Sequence, residues 1–107
     1  MNKLLSPFAV DAFHHDGFYS PVRVMSAADA HQYRAALEAY EARAGEPLQG
    51  NWRHKTHLLF TWADALVHHP KILDAIEDVI GPDILCWTTN FFIKEANSPG
   101  FVSWHQD

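Results

Sequence analysis

The chain has 107 residues, of which 48% are hydrophobic and 13% aromatic, a composition typical of one globular domain and not of a disordered tail. Eight Lys and Arg against thirteen Asp and Glu give a net charge of −5, so the chain lacks the cationic surface that binds nucleic acid or anionic lipid. We therefore expect neither a nucleic-acid nor a membrane partner. An eight-stranded enzyme barrel generally needs a longer chain.

The cysteine content and the N-terminal residues bear on the compartment. A single cysteine, Cys86, excludes an intrachain disulfide and a zinc site built from several cysteines. Pro7 and Asp11 interrupt the first apolar stretch, which is too short for a secretory signal. We expect a cytoplasmic protein, with Cys86 as an inert buried thiol.

Helices are predicted in the first part of the chain. Residues 7–16 form a short helix that ends at Gly17, a residue that tolerates a left-handed terminus. Ser26 is a good N-cap for a second helix, in which apolar residues recur at three- and four-residue steps up to Gly45. Residues 45–51 form a loop.

Two further helices are predicted after this loop. The third is indicated by apolar residues at helical spacing, which are Leu58, Leu59, Trp62 and Leu66. Pro70 favours the start of the fourth, and Gly81 and Pro82 end it.

The pattern changes from helix to strand at Ile84. Residues 84–94 are dense in aromatic and β-branched side chains, which is typical of a strand buried on at least one side. A turn at residues 97–100 precedes a second extended stretch, residues 101–107. The sequence thus predicts an α+β fold in one domain, mainly helical over residues 1–82 and extended over residues 83–107.

His105 and Asp107 lie two residues apart in the second predicted strand. Such residues point to the same face, so the imidazole and the carboxylate would be close enough to share a metal ion. They would supply two ligands of the 2-His-1-carboxylate triad that binds Fe(II) in oxygenases. The spacing alone is a weak signal, because chance gives about 0.6 such pairs in a chain with eight His and eight Asp. His14 and Asp16 form a second pair, at a helix end where the two side chains diverge.

The residues around His105 are similar to those of a known enzyme family. Residues 101–107 read Phe-Val-Ser-Trp-His-Gln-Asp, and they follow Gly-Pro-Asp-Ile-Leu at 81–85 and Asn-Phe-Phe-Ile-Lys at 90–94. These strings resemble the phytanoyl-CoA dioxygenase family of Fe(II)- and 2-oxoglutarate-dependent oxygenases. The resemblance reaches back through residues 69–73 to residues 16–18, and its most specific part is the His-Gln-Asp string.

This resemblance implies a fold, a metal, a cosubstrate and four site residues. The helices would lead into the first strands of an incomplete double-stranded β-helix, or jelly-roll, core. His105 and Asp107 would be the first two iron ligands, with no catalytic residue beyond the metal ligands. Asn90 and Lys55 would help to hold 2-oxoglutarate. The intact enzyme would use O₂ and 2-oxoglutarate to hydroxylate a small organic substrate and would release succinate.

Local sequence offers other interpretations of Asn90 and Lys55, and of two nearby histidines. On a strand, Asn90 would share a face with Thr88, Phe92 and Lys94. Its amide could equally be satisfied by local backbone, and Lys55 could belong to a solvated basic loop. His54 and His57 could pair on a metal if they were helical, but no carboxylate at ligand spacing supports such a site.

The sequence departs from the family pattern in lacking a distal histidine and an arginine for 2-oxoglutarate. We therefore expect an N-terminal fragment, natural or excerpted, that does not turn over by itself. Two other interpretations stay open. The first is a non-enzymatic interaction module that uses the helical face from Ala30 to Ala44 and an edge strand after Gly100. The second is a cupin-type metal enzyme completed by a second chain.

Overall fold

A computed structural model describes residues 1–106 of the chain. This part contains four α-helices, which are α1 (Pro7–Asp16), α2 (Ala27–Ala44), α3 (Thr61–Val67) and α4 (Pro70–Ile80). Two short 3₁₀ turns, Gly50–Arg53 and Thr56–Leu58, connect α2 to α3. Helix α3 contacts both α2 and α4, and α1 packs on α4. None of the helices within residues 1–106 is both long enough and apolar enough to cross a membrane.

The predicted ends of α1 and α2 are confirmed. The Ser26 hydroxyl oxygen accepts the backbone N–H of Asp29 at 3.0 Å, which caps the start of α2. Gly17 and Gly45 follow the two helices with φ of 82° and 74°, in the left-handed region that favours glycine. Each of these boundaries is decided by residues within about one helical turn, so local sequence is sufficient to locate it.

The fourth predicted helix is confirmed, and the third is shorter than expected. Pro70 opens α4 and Gly81 follows its last residue. Helix α3 begins at Thr61, whereas Leu58 belongs to the preceding 3₁₀ turn and is 71% exposed. The apolar residues that were predicted to form one helical face therefore belong to two elements, the 3₁₀ turn and α3. The first of these residues, Leu58, lies outside the core.

A small core lies where the helices meet. Its buried apolar residues are Leu5, Ala9, Leu48 and Ala63. Leu48 is completely buried in the loop after α2, and its backbone is fixed on both sides. Its N–H donates to the Glu41 carboxylate at 2.9 Å, and its carbonyl oxygen accepts from Arg53 Nε at 2.8 Å. These bonds satisfy the polar groups of a loop residue whose side chain is fully buried.

Aromatic rings connect α2 to the segment after α4. We call this set the aromatic chain, and it consists of Tyr40, Trp52, Phe60, Trp62 and Phe91. Phe60 lies at its centre, with its ring centroid 4.8 Å from Tyr40, 6.0 Å from Trp52 and 5.5 Å from Trp62. Trp62 in turn meets Phe91 edge to face at 5.7 Å. Such spacings are those of favourable aromatic pairs.

The N-terminal segment is attached to α4 through Asp78. The Asp78 carboxylate accepts the backbone N–H groups of Lys3, Leu4 and Leu5 at 2.7, 2.8 and 2.7 Å. Partial burial raises the pKa of Asp78, but these three bonds and the Lys3 charge outweigh it and leave the pKa below its ordinary value. Lys3 also pairs with Glu77 at 2.6 Å.

The predicted α+β fold is wrong. Within the described residues, 83–106 form no strand and no sheet, so the first strands of a double-stranded β-helix are not present there. The backbone of residues 83–106 takes part in one isolated antiparallel β-bridge, which pairs Asn90 with His54. Asp107 lies outside the described residues.

Side-chain exposure explains why the strand prediction fails. Leu85, Trp87 and Phe92, expected to be partly buried, are 88%, 85% and 81% exposed, and Cys86 is exposed rather than buried. Aromatic and β-branched side chains favour a strand only where a neighbouring strand pairs with its backbone and a packed face covers them. No neighbouring strand lies along this segment in residues 1–106.

Candidate functional site

The segment of residues 53–57 lies against residues 88–91, and several hydrogen bonds join the two. The backbone N–H of Phe91 donates to the Arg53 carbonyl oxygen at 3.0 Å. The backbone N–H of His57 donates to the Thr89 hydroxyl oxygen at 3.2 Å, and His57 Nδ1 lies 2.7 Å from the same oxygen. Because backbone and side chains both take part, the relative position of the two segments is fixed at several points.

The side-chain amide of Asn90 lies at the centre of this junction. Its Oδ1 is 3.2 Å from His54 Nδ1 and 3.3 Å from the Thr88 hydroxyl. An amide oxygen only accepts hydrogen bonds, so His54 and Thr88 both act as donors to it. The side chains of Thr88 and Asn90 therefore meet, but the strand face that they were expected to share with Phe92 and Lys94 is absent, because this segment forms no strand in the described residues.

Lys55 is adjacent to the bridge that holds Asn90. It takes a left-handed conformation with φ of 50° and precedes the second 3₁₀ turn, where its carbonyl oxygen accepts the Leu58 N–H at 2.9 Å. Lys55 and His54 line one wall of a cavity of about 300 Å³. The structure thus brings the segment carrying one cosubstrate candidate, Lys55, to the other candidate, Asn90.

His105 is exposed, and a local hydrogen bond orients its ring. Its Nδ1 lies 2.8 Å from the Ser103 carbonyl oxygen. A carbonyl oxygen only accepts, so the proton of the neutral ring is on Nδ1 and the lone pair is on Nε2. Metal-binding histidines commonly donate their second ring N–H to a backbone carbonyl in this way, so the donor chemistry of His105 fits an iron ligand. The bonds between residues 53–57 and 88–91 do not involve His105.

Metal-ligating side chains are otherwise dispersed in the described part of the chain. Residues 1–106 contain no group of three His, Cys, Asp or Glu side chains arranged to hold one ion. The second predicted His-x-Asp pair lies at the exposed end of α1, where Asp16 Oδ1 is 2.6 Å from His15 Nδ1. Asp107, the second predicted iron ligand, is outside the described residues.

An apolar cavity of about 700 Å³ lies between α3, α4 and the segment that follows α4. Leu66, Ile72 and Ile76 line it on the helical side. Thr89, the neighbour of Asn90, and Phe91 belong to its opposite wall. An apolar cavity with few polar groups is the usual form of a small-molecule site.

His54 and His57 were not identified by sequence reasoning as partners of Asn90 and Thr89. His54 and Asn90 are 36 residues apart, and nothing in the local pattern around either one indicates the other. The polar residues at strand spacing, Thr88 and Asn90, are the one signal in the sequence that marks this segment as a candidate site. Compared with protein-family models, curated proteins and solved structures, the chain matches none of them.

Proposed function

We propose that this chain is the N-terminal part of an Fe(II)- and 2-oxoglutarate-dependent dioxygenase that hydroxylates a small organic substrate. The observation that carries the proposal is the His-Gln-Asp string at residues 105–107, with its resemblance to the phytanoyl-CoA dioxygenase family. The hydrogen bond between His105 Nδ1 and the Ser103 carbonyl oxygen supports it, because metal-binding histidines commonly donate one ring N–H to a backbone carbonyl. The single cysteine of the chain is compatible with a cytoplasmic enzyme.

Each residue of the proposed site has a definite role. His105 and Asp107 would hold the iron, which would supply the oxidation chemistry in which the substrate, O₂ and 2-oxoglutarate yield the hydroxylated product, succinate and CO₂. Lys55 contributes a positive charge, and Asn90 contributes amide N–H donors, both of which suit a dicarboxylate. A third ligand and an arginine would have to come from polypeptide other than these 107 residues. The chain alone is therefore expected to be inactive.

The iron ligands can be tested with Mn²⁺, which replaces Fe(II) without redox chemistry and broadens nearby NMR signals. We expect titration of the chain with Mn²⁺ to broaden the amide signals of residues 103–106 first. The variant His105→Ala should abolish this broadening. His14→Ala, in the second His-x-Asp pair, is the matched control and should leave it unchanged. Broadening centred on residues 14–16, or broadening that persists in His105→Ala, would contradict the proposal.

A second measurement addresses turnover. The 107-residue chain with Fe(II), O₂ and 2-oxoglutarate should form no succinate above a protein-free control, because two ligands hold the metal weakly and no arginine binds the far carboxylate. Succinate formation by this chain would show that the expected inactivity is wrong.

A non-enzymatic interaction module is the second candidate function. It is favoured by the exposed apolar side chains that follow α4, among them Leu85, Trp87 and Trp104. Helix α2 carries the face from Ala30 to Ala44 that this interpretation uses. None of its residues is buried. This candidate predicts that Mn²⁺ causes no localised broadening and that the chain is retained by a protein partner through residues 85–104.

A further inference from the structure

We propose that a second copy of this chain covers the exposed apolar residues that follow α4, so that two chains form a two-fold symmetric dimer. We call residues 85–104 the apolar segment. Its exposed large side chains include those of Trp87, Phe101, Val102 and Trp104. Dimerisation requires neither iron nor 2-oxoglutarate, so it is independent of the proposed function.

The accessible surface of the chain is larger than its mass predicts. It is 8553 Å², whereas a compact monomer of 12.2 kDa has about 6,100 Å². The radius of gyration of 16.0 Å likewise exceeds the value of about 13 Å that is expected for 107 residues. A standard protein–protein interface takes about 800 Å² from each partner. The surplus of about 2,400 Å² is therefore sufficient for a dimer interface.

Both the side chains and the backbone of the apolar segment are available for contact. Trp87 is 85% exposed and Trp104 is fully exposed. Within residues 1–106, Phe91 is the one residue between 85 and 94 whose backbone N–H donates a hydrogen bond. Single exposed apolar residues are normal, but several in one segment are typical of an interface. Extended backbone with open N–H and C=O groups can also pair with another chain.

The charges of the apolar segment favour a second copy as its partner. The chain has a net charge of −5, yet residues 85–104 contain one positive and one negative side chain, Lys94 and Glu95. The Lys94 ammonium contacts the carbonyl oxygens of Glu95 and Ser98 and forms no ion pair within residues 1–106. A two-fold axis close to residues 94 and 95 brings Lys94 of each copy to Glu95 of the other. The segment is therefore complementary to itself in charge.

The dimer should be weak. We expect a Kd of about 10 μM, because association must order an irregular segment and interface area does not convert directly into affinity. Samples well below this concentration are then monomeric and unfold as monomers.

Sedimentation equilibrium above and below the expected Kd tests the dimer. Trp87→Glu should raise the Kd at least about tenfold, because it places a charge in the interface. Phe18→Glu is the matched control, since Phe18 is 66% exposed but lies outside the apolar segment. It should leave the Kd unchanged. Far-ultraviolet circular dichroism of dilute samples reports that each variant keeps its helices.

A charge exchange tests the two-fold arrangement. Lys94→Glu and Glu95→Lys each place like charges opposite one another, and each should raise the Kd about fivefold. An equimolar mixture of the two variants restores opposite charges across the interface. It should therefore form heterodimers with about the wild-type Kd. A purely local effect of either substitution on the turn would not be restored by mixing.

Three outcomes would overturn the proposal. The first is a monomer at every concentration, which would leave the remaining polypeptide of the proposed enzyme as the cover of the apolar segment. The second is equal weakening by Phe18→Glu and Trp87→Glu, or growth beyond a dimer, since either would show non-specific association. The third is a mixture of the two charge variants that associates no better than each variant alone.

Discussion

Asp78 fixes Leu5 in the core: its Oδ2 accepts the Leu5 backbone N–H at 2.7 Å, and Leu5 is 9% exposed. The same carboxylate accepts the N–H groups of the two preceding residues. It therefore satisfies the backbone of a segment that has no regular secondary structure of its own. Helix α1 begins two residues after Leu5, so this contact also determines where α1 meets α4.

Asp78→Asn should release the N-terminal segment. The substitution replaces one acceptor oxygen with an NH₂ group that cannot accept, so at least one of the three backbone bonds is lost. We expect the amides of residues 3–5 to exchange about tenfold faster and the melting temperature to fall. Asp74→Asn, one turn earlier on α4, is the control and should leave that exchange unchanged. Equal exchange in Asp78→Asn and the wild type would show that the carboxylate does not hold the segment.

The same carboxylate predicts a pH dependence of stability. The folded pKa of Asp78 is lower than the unfolded value near 3.8, so the unfolded state binds the proton more tightly. The contribution of Asp78 is therefore complete above pH 3.8 and is lost as the pH falls through the folded pKa. Urea unfolding of the wild type and Asp78→Asn should give a stability difference that is constant near neutral pH and shrinks below pH 3.8. A stability difference between the two proteins that grows as the pH falls would contradict this prediction.

Leu48 and Leu85 form a matched pair for testing where the core lies. Leu48 is 0% exposed and Leu85 is 88% exposed. Leu48→Ala should lower the free energy of unfolding by about 3 kcal/mol, because it leaves a cavity in a small core. Leu85→Ala should change it by less than about 0.5 kcal/mol. Urea denaturation measures both, and similar losses in the two variants would contradict the fold around residue 48.

Phe60 and Phe92 provide a second matched pair. Phe60 contacts three rings of the aromatic chain, whereas Phe92 is 81% exposed. Phe60→Ala should destabilise the chain by about 2 kcal/mol and should change the near-ultraviolet circular dichroism of the tryptophans that it touches. Phe92→Ala should change neither the stability nor the near-ultraviolet circular dichroism. An unaltered aromatic spectrum in Phe60→Ala would exclude the packing described here.

Helix boundaries were predictable because their signals are local. Ser26 caps through Asp29, three residues on, and Gly17 ends α1 through a bond to Phe13, four residues back. The strand prediction failed for the opposite reason. The side chains of residues 84–94 fit a sheet, but a sheet needs a partner strand, which a single-segment pattern does not reveal.

The candidate site was predictable only in part. Lys55 and Asn90 were expected to serve one ligand, and the structure brings Asn90 to the residue next to Lys55. The partner that joins them, His54, was considered only as a metal ligand. Its contact with Asn90 depends on how α3 and α4 turn the chain back, which is a property of tertiary packing and not of spacing.

The bridge between His54 and Asn90 has a consequence for the order of folding. It closes a loop over a separation of 36 residues, and α3 and α4 both lie within that loop. Closing a disordered loop of this length costs entropy before any contact is gained, whereas ordered helices shorten the stretch that must be closed. We therefore expect pulse-labelled amides of α4 to become protected before the Phe91 amide during refolding. The cosubstrate candidates would then be among the last parts of the chain to come together.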